Sequence, residues 1–491
     1  MVANIANVGN GIGTGRIVRR AGMVAALAVL SVPVALWAHA HLRRSEPAAN
    51  ARLASPPSAI RLWFTERPEL AFTRVRLRAA DSSEIALGTA ARMTDDPMGV
   101  TVSIAPLLPP GKYTVLWRTA AADGHASSGS FGFELAGAAP VVAATDTNPT
   151  PHIAGSNAVV SADSVAAPST SLNASAATRW LEFMALLAVV GAVVFRLGVL
   201  PRAARAMAGT LPDETRLEIA DTARRLAQSA LVLLLITTVS RLYNETRTVI
   251  GADRAVDRAA LAATLGTRWG IGWSIGAAGM VIAAIGFVLV RRRRSEAGWV
   301  VAAIGAVAAV CSPALTGHAS TTTPVGAAIA TDVAHVLAAC AWLGTLLTLL
   351  FAALPLVRGA RSMAGLGSGA LVASLVRAFH PIALTCASVV VASGLLAAWL
   401  RLPSVASLWE SNYGRILLLK LAFVALVVVL GALNWRRLLP TLGDDRAARR
   451  ITRTASAELT IAALVLAVTA VLVSTSPPES AARAATVSVK R

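Results

Sequence analysis

Hydrophobic positions in this chain follow three rhythms, and each predicts a different kind of structure. Near the start, Arg16, Arg19 and Arg20 precede an unbroken apolar run from Ala21 to Trp37 that ends in small residues. Basic residues, then an apolar run, then small residues is the order of a secretory leader, here residues 1–38, although an uncleaved first membrane helix would share much of it. Between 39 and 135 the apolar residues alternate in short runs: Ile60, Leu62, Phe64; Val100, Val102, Ile104; Tyr113, Val115, Trp117; Phe131, Phe133, Leu135. Period two predicts half-buried strands. The clusters Arg67-Pro68-Glu69, Asp95-Asp96-Pro97, Pro109-Pro110-Gly111 and Asp123-Gly124-His125 punctuate them as turns do in a β-sandwich. From Ala177 onward eight apolar stretches are long enough to cross a bilayer: about 179–200, 225–243, 270–290, 297–315, 325–355, 371–400, 413–435 and 455–474. The expected architecture is an all-β sandwich followed by a polytopic all-α membrane domain of about eight transmembrane helices over 177–476, with a tail at 477–491.

Between these parts, residues 136–176 are rich in Ala, Ser, Thr, Val and Pro, carry only Asp146 and Asp163 as charges up to the first apolar span, and show no period. Such a composition predicts a flexible linker with a span of roughly 35 Å.

Composition supports the membrane assignment and removes one competing class. The chain is 55% hydrophobic and only 14% charged. Its net charge of +19 would suit nucleic acid, but the arginines sit in short clusters beside apolar spans, so they read as topology signals and no nucleic-acid partner is expected. With the β domain outside, the loops 201–224, 291–296, 356–377 and 436–454 fall inside and hold Arg202, Arg205, Arg291 to Arg294, Arg436, Arg437, Arg449 and Arg450. That distribution predicts a multi-pass protein of the inner (plasma) membrane with its N-terminal domain on the periplasmic or extracellular side. The loop with Arg247, Arg254 and Arg258 departs from the pattern. Cys311, Cys340 and Cys386 all lie in apolar stretches, which leaves the exported domain without a disulfide framework.

Candidate chemistry starts where the leader ends, at His39-Ala40-His41. Cleavage between Ala38 and His39 gives a terminal residue that carries both an amine and an imidazole, whereas cleavage after Ala40 makes His41 the terminus. Asp123 and His125 are two apart, so in extended chain they share a face. Two nitrogens from a terminal histidine, a second imidazole and a carboxylate form a tetragonal N/O set of the kind Cu(II) favours.

The segments HAHLRRSEPAAN, LWFTERPE, LPPGKYTVLWRTAAADGH and SGSFGFEL closely resemble the CopC family of periplasmic copper-binding proteins across 39–135. The resemblance implies a cupredoxin-like sandwich in which His39, Asp123 and His125 hold Cu(II), and it places cleavage before His39. Met93 and Met98 are too few for the methionine-rich Cu(I) site that some members carry.

Within the apolar half, Asp332, His335, Lys420 and Glu458 are polar groups in or beside membrane spans and are functional candidates on that ground. His318 stands in Thr316-Gly317-His318-Ala319, and His380 precedes Pro381. Asp332 and His335 share a helix face, and a copper path from His318 through His335 to His380 follows as a candidate. DVAHVLAACAWLGTL, YGRILLLKLAFVALVVVLGALNWRRLLP and Ser456-Ala457-Glu458 resemble the CopD family of inner-membrane copper proteins, and Lys420 and Glu458 lie within those matched segments. Fusion of the two families implies capture of Cu(II) outside and passage of copper across the membrane, as Cu(I) where imidazole or sulfur ligands take over. No nucleotide-binding loop or phosphorylation-type ATPase motif is present, and no enzyme activity is expected. Three readings compete: tolerance by periplasmic sequestration or delivery through a periplasmic copper chaperone or to a cuproenzyme, a haem-binding membrane redox protein built on paired histidines, and a copper oxidase.

Overall fold

The computed structural model describes residues 42–65, 67–104, 108–120, 126–136, 169–207, 211–251, 255–293, 296–317, 324–359, 368–402, 404–438 and 445–475. They divide into two compact units.

The first is a β-sandwich. Its strands are β1 Leu42–Glu46, β2 Arg52–Leu53, β3 Ala59–Phe64, β4 Arg74–Ala79, β5 Glu84–Ile85, β6 Ala91–Arg92, β7 Gly99–Ser103, β8 Gly111–Ala120 and β9 Ala126–Leu135. One sheet has the order β1-β3-β7-β6 and the other β2-β9-β8-β4-β5. All pairings are antiparallel except β2 on β9. The period-two positions named above all point inward: Ile60, Leu62, Phe64, Val100, Val102, Ile104, Tyr113, Val115, Trp117, Phe131, Phe133 and Leu135 form one buried cluster, joined by Leu77 and Leu108. Aromatic rings tie the core together, Phe64 edge-on to Trp117 at 5.2 Å and Tyr113 stacked on Phe133 at 5.4 Å. Gly129 faces Trp117 across the β8–β9 ladder, and a Cβ there would come within 2.8 Å of the indole, so only glycine leaves the ring its place. Residues 245–263 belong to this unit as well. Val249 is buried with Phe72 and Ala120, and Arg118 donates to the Thr248 carbonyl. Arg247 and Arg258, two of the three arginines of the loop that departs from the charge pattern, thus lie in a segment packed with protein.

In the second unit eight helices are long and apolar enough to cross a membrane: α1 Ser175–Ala206, α2 Asp213–Ile250, α3 Arg268–Arg292, α4 Glu296–Leu315, α5 Val325–Leu356, α6 Ala370–Arg401, α7 Asn412–Arg436 and α8 Thr452–Val473. They coincide in number and order with the eight apolar stretches. Helical backbone begins at Ser169, inside the stretch assigned to the linker, because adding a turn to a helix that an apolar span has already nucleated costs far less than starting one. The α1–α5 crossing is close. A Cβ on Gly344 would lie 1.9 Å from the Leu187 carbonyl oxygen, so backbone meets backbone. Small residues likewise let α3 lie on α4, through Gly279 and Gly286 against Gly305, Ala309, Gly298 and Ala302. Leu384, Val391 and Leu395 on α6, and Leu421 and Val429 on α7, remain exposed in a row that suits acyl chains.

Three helices widen into a π-turn: α1 at Phe195–Val199, α5 at Leu349–Ala353 and α7 at Asn434–Leu438. Each widening is followed in sequence by Leu-Pro, at Leu200-Pro201, Leu354-Pro355 and Leu439-Pro440. Proline lacks an N–H and crowds the carbonyl four residues back. In the first two that carbonyl belongs to Leu197 or Phe351, inside the widened turn, and the extra residue relieves the conflict without ending the helix.

Candidate metal centres

His39, His41, Asp123, His125 and His318 lie outside the described residues. The strands beside the first four do have defined places. Leu42, at the start of β1, pairs with Phe64 on β3, and Phe64 touches Trp117 across the sandwich. Trp117 stands three residues before Ala120, which closes the β8–β9 ladder opposite Ala126. The chain entering at 42 and the chain leaving at 120 and returning at 126 therefore lie toward the same end of the sandwich. A buried hydroxyl pair, Thr73 with Thr119 at 2.8 Å, and the Glu69 amide on the Ala120 carbonyl at 2.8 Å hold that end of β8.

Among the membrane candidates, the helices bring Asp332, His335 and Lys420 together. Asp332 on α5 accepts from Arg401 at the end of α6 at 2.6 Å, and Tyr413, in the first turn of α7, hydrogen-bonds to the same guanidinium. One turn further along α5, His335 Nδ1 lies 3.0 Å from Ser393 Oγ on α6. The Ser393 hydroxyl also donates to the Val389 carbonyl at 2.5 Å, which leaves its lone pairs for the imidazole N–H. The Nδ1–Cε1 edge of the ring also faces Gly394, and the Val390 carbonyl, an acceptor only, is within hydrogen-bonding reach of the ring. In the tautomer that donates from Nδ1, Nε2 keeps its lone pair, the arrangement that orients a histidine as a metal ligand. Lys420 on α7 is close enough to His335, Asp332 and Arg401 for their charges to interact. Among the described residues its ammonium makes no hydrogen bond or ion pair.

His380 and Glu458 lie elsewhere. His380 stacks on Trp435 at 5.7 Å, and the neighbouring Asn434 donates to the buried Glu458 carboxylate. Ser393, the partner of His335, is thirteen residues from His380 on the same helix. At 1.5 Å and 100° per residue that is about 20 Å along the axis and more than half a turn around it. The two histidines therefore cannot bind one ion or one haem iron together. Among the described residues no three His, Cys, Asp or Glu side chains converge as a metal cluster.

Comparison with known proteins agrees with this division of the chain. Residues 42–136 match the CopC domain, 170–327 the N-terminal domain of copper resistance protein D-like proteins, and 373–472 copper resistance protein D. The chain thus carries a CopC domain followed by segments that match copper resistance protein D and the N-terminal domain of its relatives. The copper transport protein CutJ of Bacillus subtilis is 27% identical over 466 residues, covering 93% of this chain and 77% of that protein. Protein YobA of Escherichia coli K12 is 37% identical over 113 residues, covering 22% of this chain and 91% of YobA. Two solved structures overlay on the sandwich. CopC from Methylosinus trichosporium OB3b has 25% identity and covers 21% of this chain and all of that one, with a TM-score of 0.20. PcoC, a methionine-rich copper resistance protein from Escherichia coli, has 28% identity and covers 20% of this chain and 99% of that one, with a TM-score of 0.19.

In the CopD region a buried ion pair escaped the sequence reading. Arg241 on α2 donates to both oxygens of Glu182 on α1, at 2.7 and 3.0 Å, and reaches Thr316 at 3.3 Å, with its guanidinium 5.8 Å from the centre of the Trp269 ring. The signal was available, since Glu182 and Arg241 lie inside apolar spans just as Asp332 lies inside another. Together they repeat the Asp332 constellation: an acid on the first helix of each half, an arginine on the second and an aromatic ring on the third. The third helices even begin alike. Thr267 Oγ1 caps the amide of Gly270, and Ser411 Oγ caps that of Gly414. Both glycines press on the backbone of the short helix before them, at Thr264–Leu265 and Ser407–Leu408. The halves differ in what is added. Counted from the acid, His335 corresponds to Ala185, and counted from the Leu-Pro it corresponds to Leu181; Ser393 corresponds to Leu233, and Lys420 to Gly276. Acid, arginine and ring form a frame common to both halves, whereas His335, Ser393 and Lys420 are chemistry peculiar to the second.

Proposed function

We propose that this membrane protein captures Cu(II) at His39, Asp123 and His125 on the periplasmic or extracellular side and passes copper inward through the CopD region, with His335 as a station in the bundle. The observation that carries the reading is that the described residues flanking the three proposed ligands, Leu42, Ala120 and Ala126, lie toward the same end of the sandwich. An imidazole in the bundle, His335, held at Nδ1 by Ser393, supports the second station. Clusters of arginine on the opposite loops support this orientation, and linkage to the bundle keeps the captured ion at a high local concentration. Passage from a nitrogen and oxygen site to one imidazole within an apolar bundle favours Cu(I). The change needs one electron per ion, which an external thiol supplies: two thiols become one disulfide, release two protons and reduce two Cu(II). Coupling to ions or a passive gradient drives the movement.

Cytoplasmic copper measured by mass spectrometry of fractionated cells, at limiting external copper, tests the proposal. His39→Ala, His335→Ala and a deletion should each lower it. Unchanged or higher cytoplasmic copper overturns uptake. The second reading, sequestration or delivery to a periplasmic chaperone or cuproenzyme without transport, would then stand, supported by the lack of a multi-ligand metal cluster among the described residues of the bundle.

A further inference from the structure

We infer that Glu458 binds a proton inside the bundle and gives it up when a cation enters, so that proton binding and copper passage exclude one another. The second part rests on the reading that copper passes through the bundle. Burial is the first reason. Glu458, on α8, is 7% exposed, and Ala455, Leu459 and Ala462 beside it on the same helix pack into the apolar core. The missing counter-charge is the second. Glu182 is met by Arg241 and Asp332 by Arg401, whereas among the described residues Glu458 is met by Asn434 alone, a neutral amide on α7. One neutral donor does not hold an ionised carboxylate in an apolar interior, but it suffices for a carboxylic acid. The amide serves both forms. Its N–H donates to a carboxylate, and its oxygen, after a flip of the terminal group, accepts the O–H of the acid.

Charged groups on the elements around Glu458 are turned elsewhere. α8 packs against α7, α1, α6 and α5. Arg450 and Arg453 on the α8 helix, Arg436 on α7 and Arg377 on α6 are exposed. Arg196 on α1 is paired with Glu296, and α5 carries no charged residue between Cys340 and Leu356. Lys420 is fourteen residues from Asn434 on α7, about 21 Å along the axis. His380 on α6 lies against Trp435. The position also gives a proton a short way in: Glu458 stands six residues from Thr452, about 9 Å from the end of α8 that the arginine-bearing loops mark as cytoplasmic. Asn434 opens the widened turn of α7, a break in helical pairing of the kind found at functional sites. When a monovalent copper cation enters, loss of the proton leaves a carboxylate that offsets the new charge, and return of the proton as the cation leaves restores the starting state. One charge replaces another, no electron moves, and an intramembrane acid serves as a proton relay.

The test is infrared difference spectroscopy of the full chain in liposomes at neutral pH, first without metal and then with Cu(I) under anaerobic conditions. Without metal, a carbonyl band of a protonated carboxyl group should be present, and Glu458→Gln, which keeps the shape and the Asn434 contact, should lose it. Asn434→Leu should keep the band but shift it, because the acid has lost its hydrogen-bond partner; a merely structural Glu458 would show neither effect. Size-exclusion chromatography and helical content report that both variants are folded. With Cu(I), the wild-type band should disappear and a proton should be released to a pH indicator dye, whereas Glu458→Gln should release none. A wild-type spectrum without the band, or a band that survives in folded Glu458→Gln, overturns the inference whatever copper does. Copper that enters the liposomes while the band stays unchanged overturns the exchange. A Glu458 band in protein that admits no copper overturns passage through the bundle and supports the proton site.

Discussion

Replacing Glu182 by glutamine isolates the contribution of the buried frame in the first half of the CopD region. The two side chains of the Glu182–Arg241 pair are 6% and 10% exposed, and Arg241 meets both carboxylate oxygens. Glu182→Gln keeps the shape and one acceptor but leaves a guanidinium in the bundle with only Thr316 at 3.3 Å and the Trp269 face near it. Breaking a buried pair by removing one partner costs about 3–5 kcal/mol, and the contact with the Trp269 ring, present before and after the change, does not alter that difference. A loss of about 3–5 kcal/mol is expected, and Arg241→Gln should lose a similar amount. The double variant Glu182→Leu with Arg241→Met removes both charges and should lose much less than the sum. Asp332→Asn provides the comparison: that pair is 25% and 17% exposed, so more of the freed charge is solvated and the loss should be smaller. Denaturant unfolding of the full chain in mixed micelles, followed by helical circular dichroism, measures all four. A loss under about 1 kcal/mol for Glu182→Gln, or a double variant as damaged as the sum, would refute the argument, since a buried uncompensated charge could not then be the cause.

Three further outcomes follow from single positions. Gly129→Val should displace the Trp117 indole from the end of the sandwich toward which the residues flanking the proposed ligands lie, costing about 1–3 kcal/mol and weakening Cu(II) binding, read by tryptophan fluorescence and copper titration; unchanged emission would count against it. Ser393→Ala should leave His335 without its orienting acceptor and weaken Cu(I) binding by about 10–100-fold with the bundle intact, and equal affinity would remove Ser393 from the site. Gly344→Leu should prevent the α1–α5 crossing altogether, so that no monodisperse protein is recovered from membranes; a stable, normally folded variant would show that the crossing tolerates side chains.

Some of this protein was legible in its residues because period and length are local properties. Alternation through Ile60, Leu62 and Phe64, or through Tyr113, Val115 and Trp117, decides which face of a strand is buried wherever that strand lies in the sheet. Eight apolar stretches of crossing length become eight helices because a bilayer leaves the backbone no other way to satisfy its hydrogen bonds. The short strands were less visible. β2 is two residues long, and its parallel place beside β9 depends on a chain reversal that no local pattern records.

Polar groups divide in the same way. Sequence alone determined which residues are expensive at membrane depth, because the cost of a carboxylate, an ammonium or an imidazole there depends on its own chemistry. Which of them meet was decided by tertiary structure. Asp332 found Arg401, a residue at the far end of another helix, and His335 found Ser393, whose hydroxyl has only one proton to give. His380, equally prominent as a residue, was carried about 20 Å away along α6 by the rise of the helix itself. Interaction energy depends on distance, and distance across a bundle follows from how helices cross, as at Gly191 and Gly344, where the missing side chains let two backbones touch.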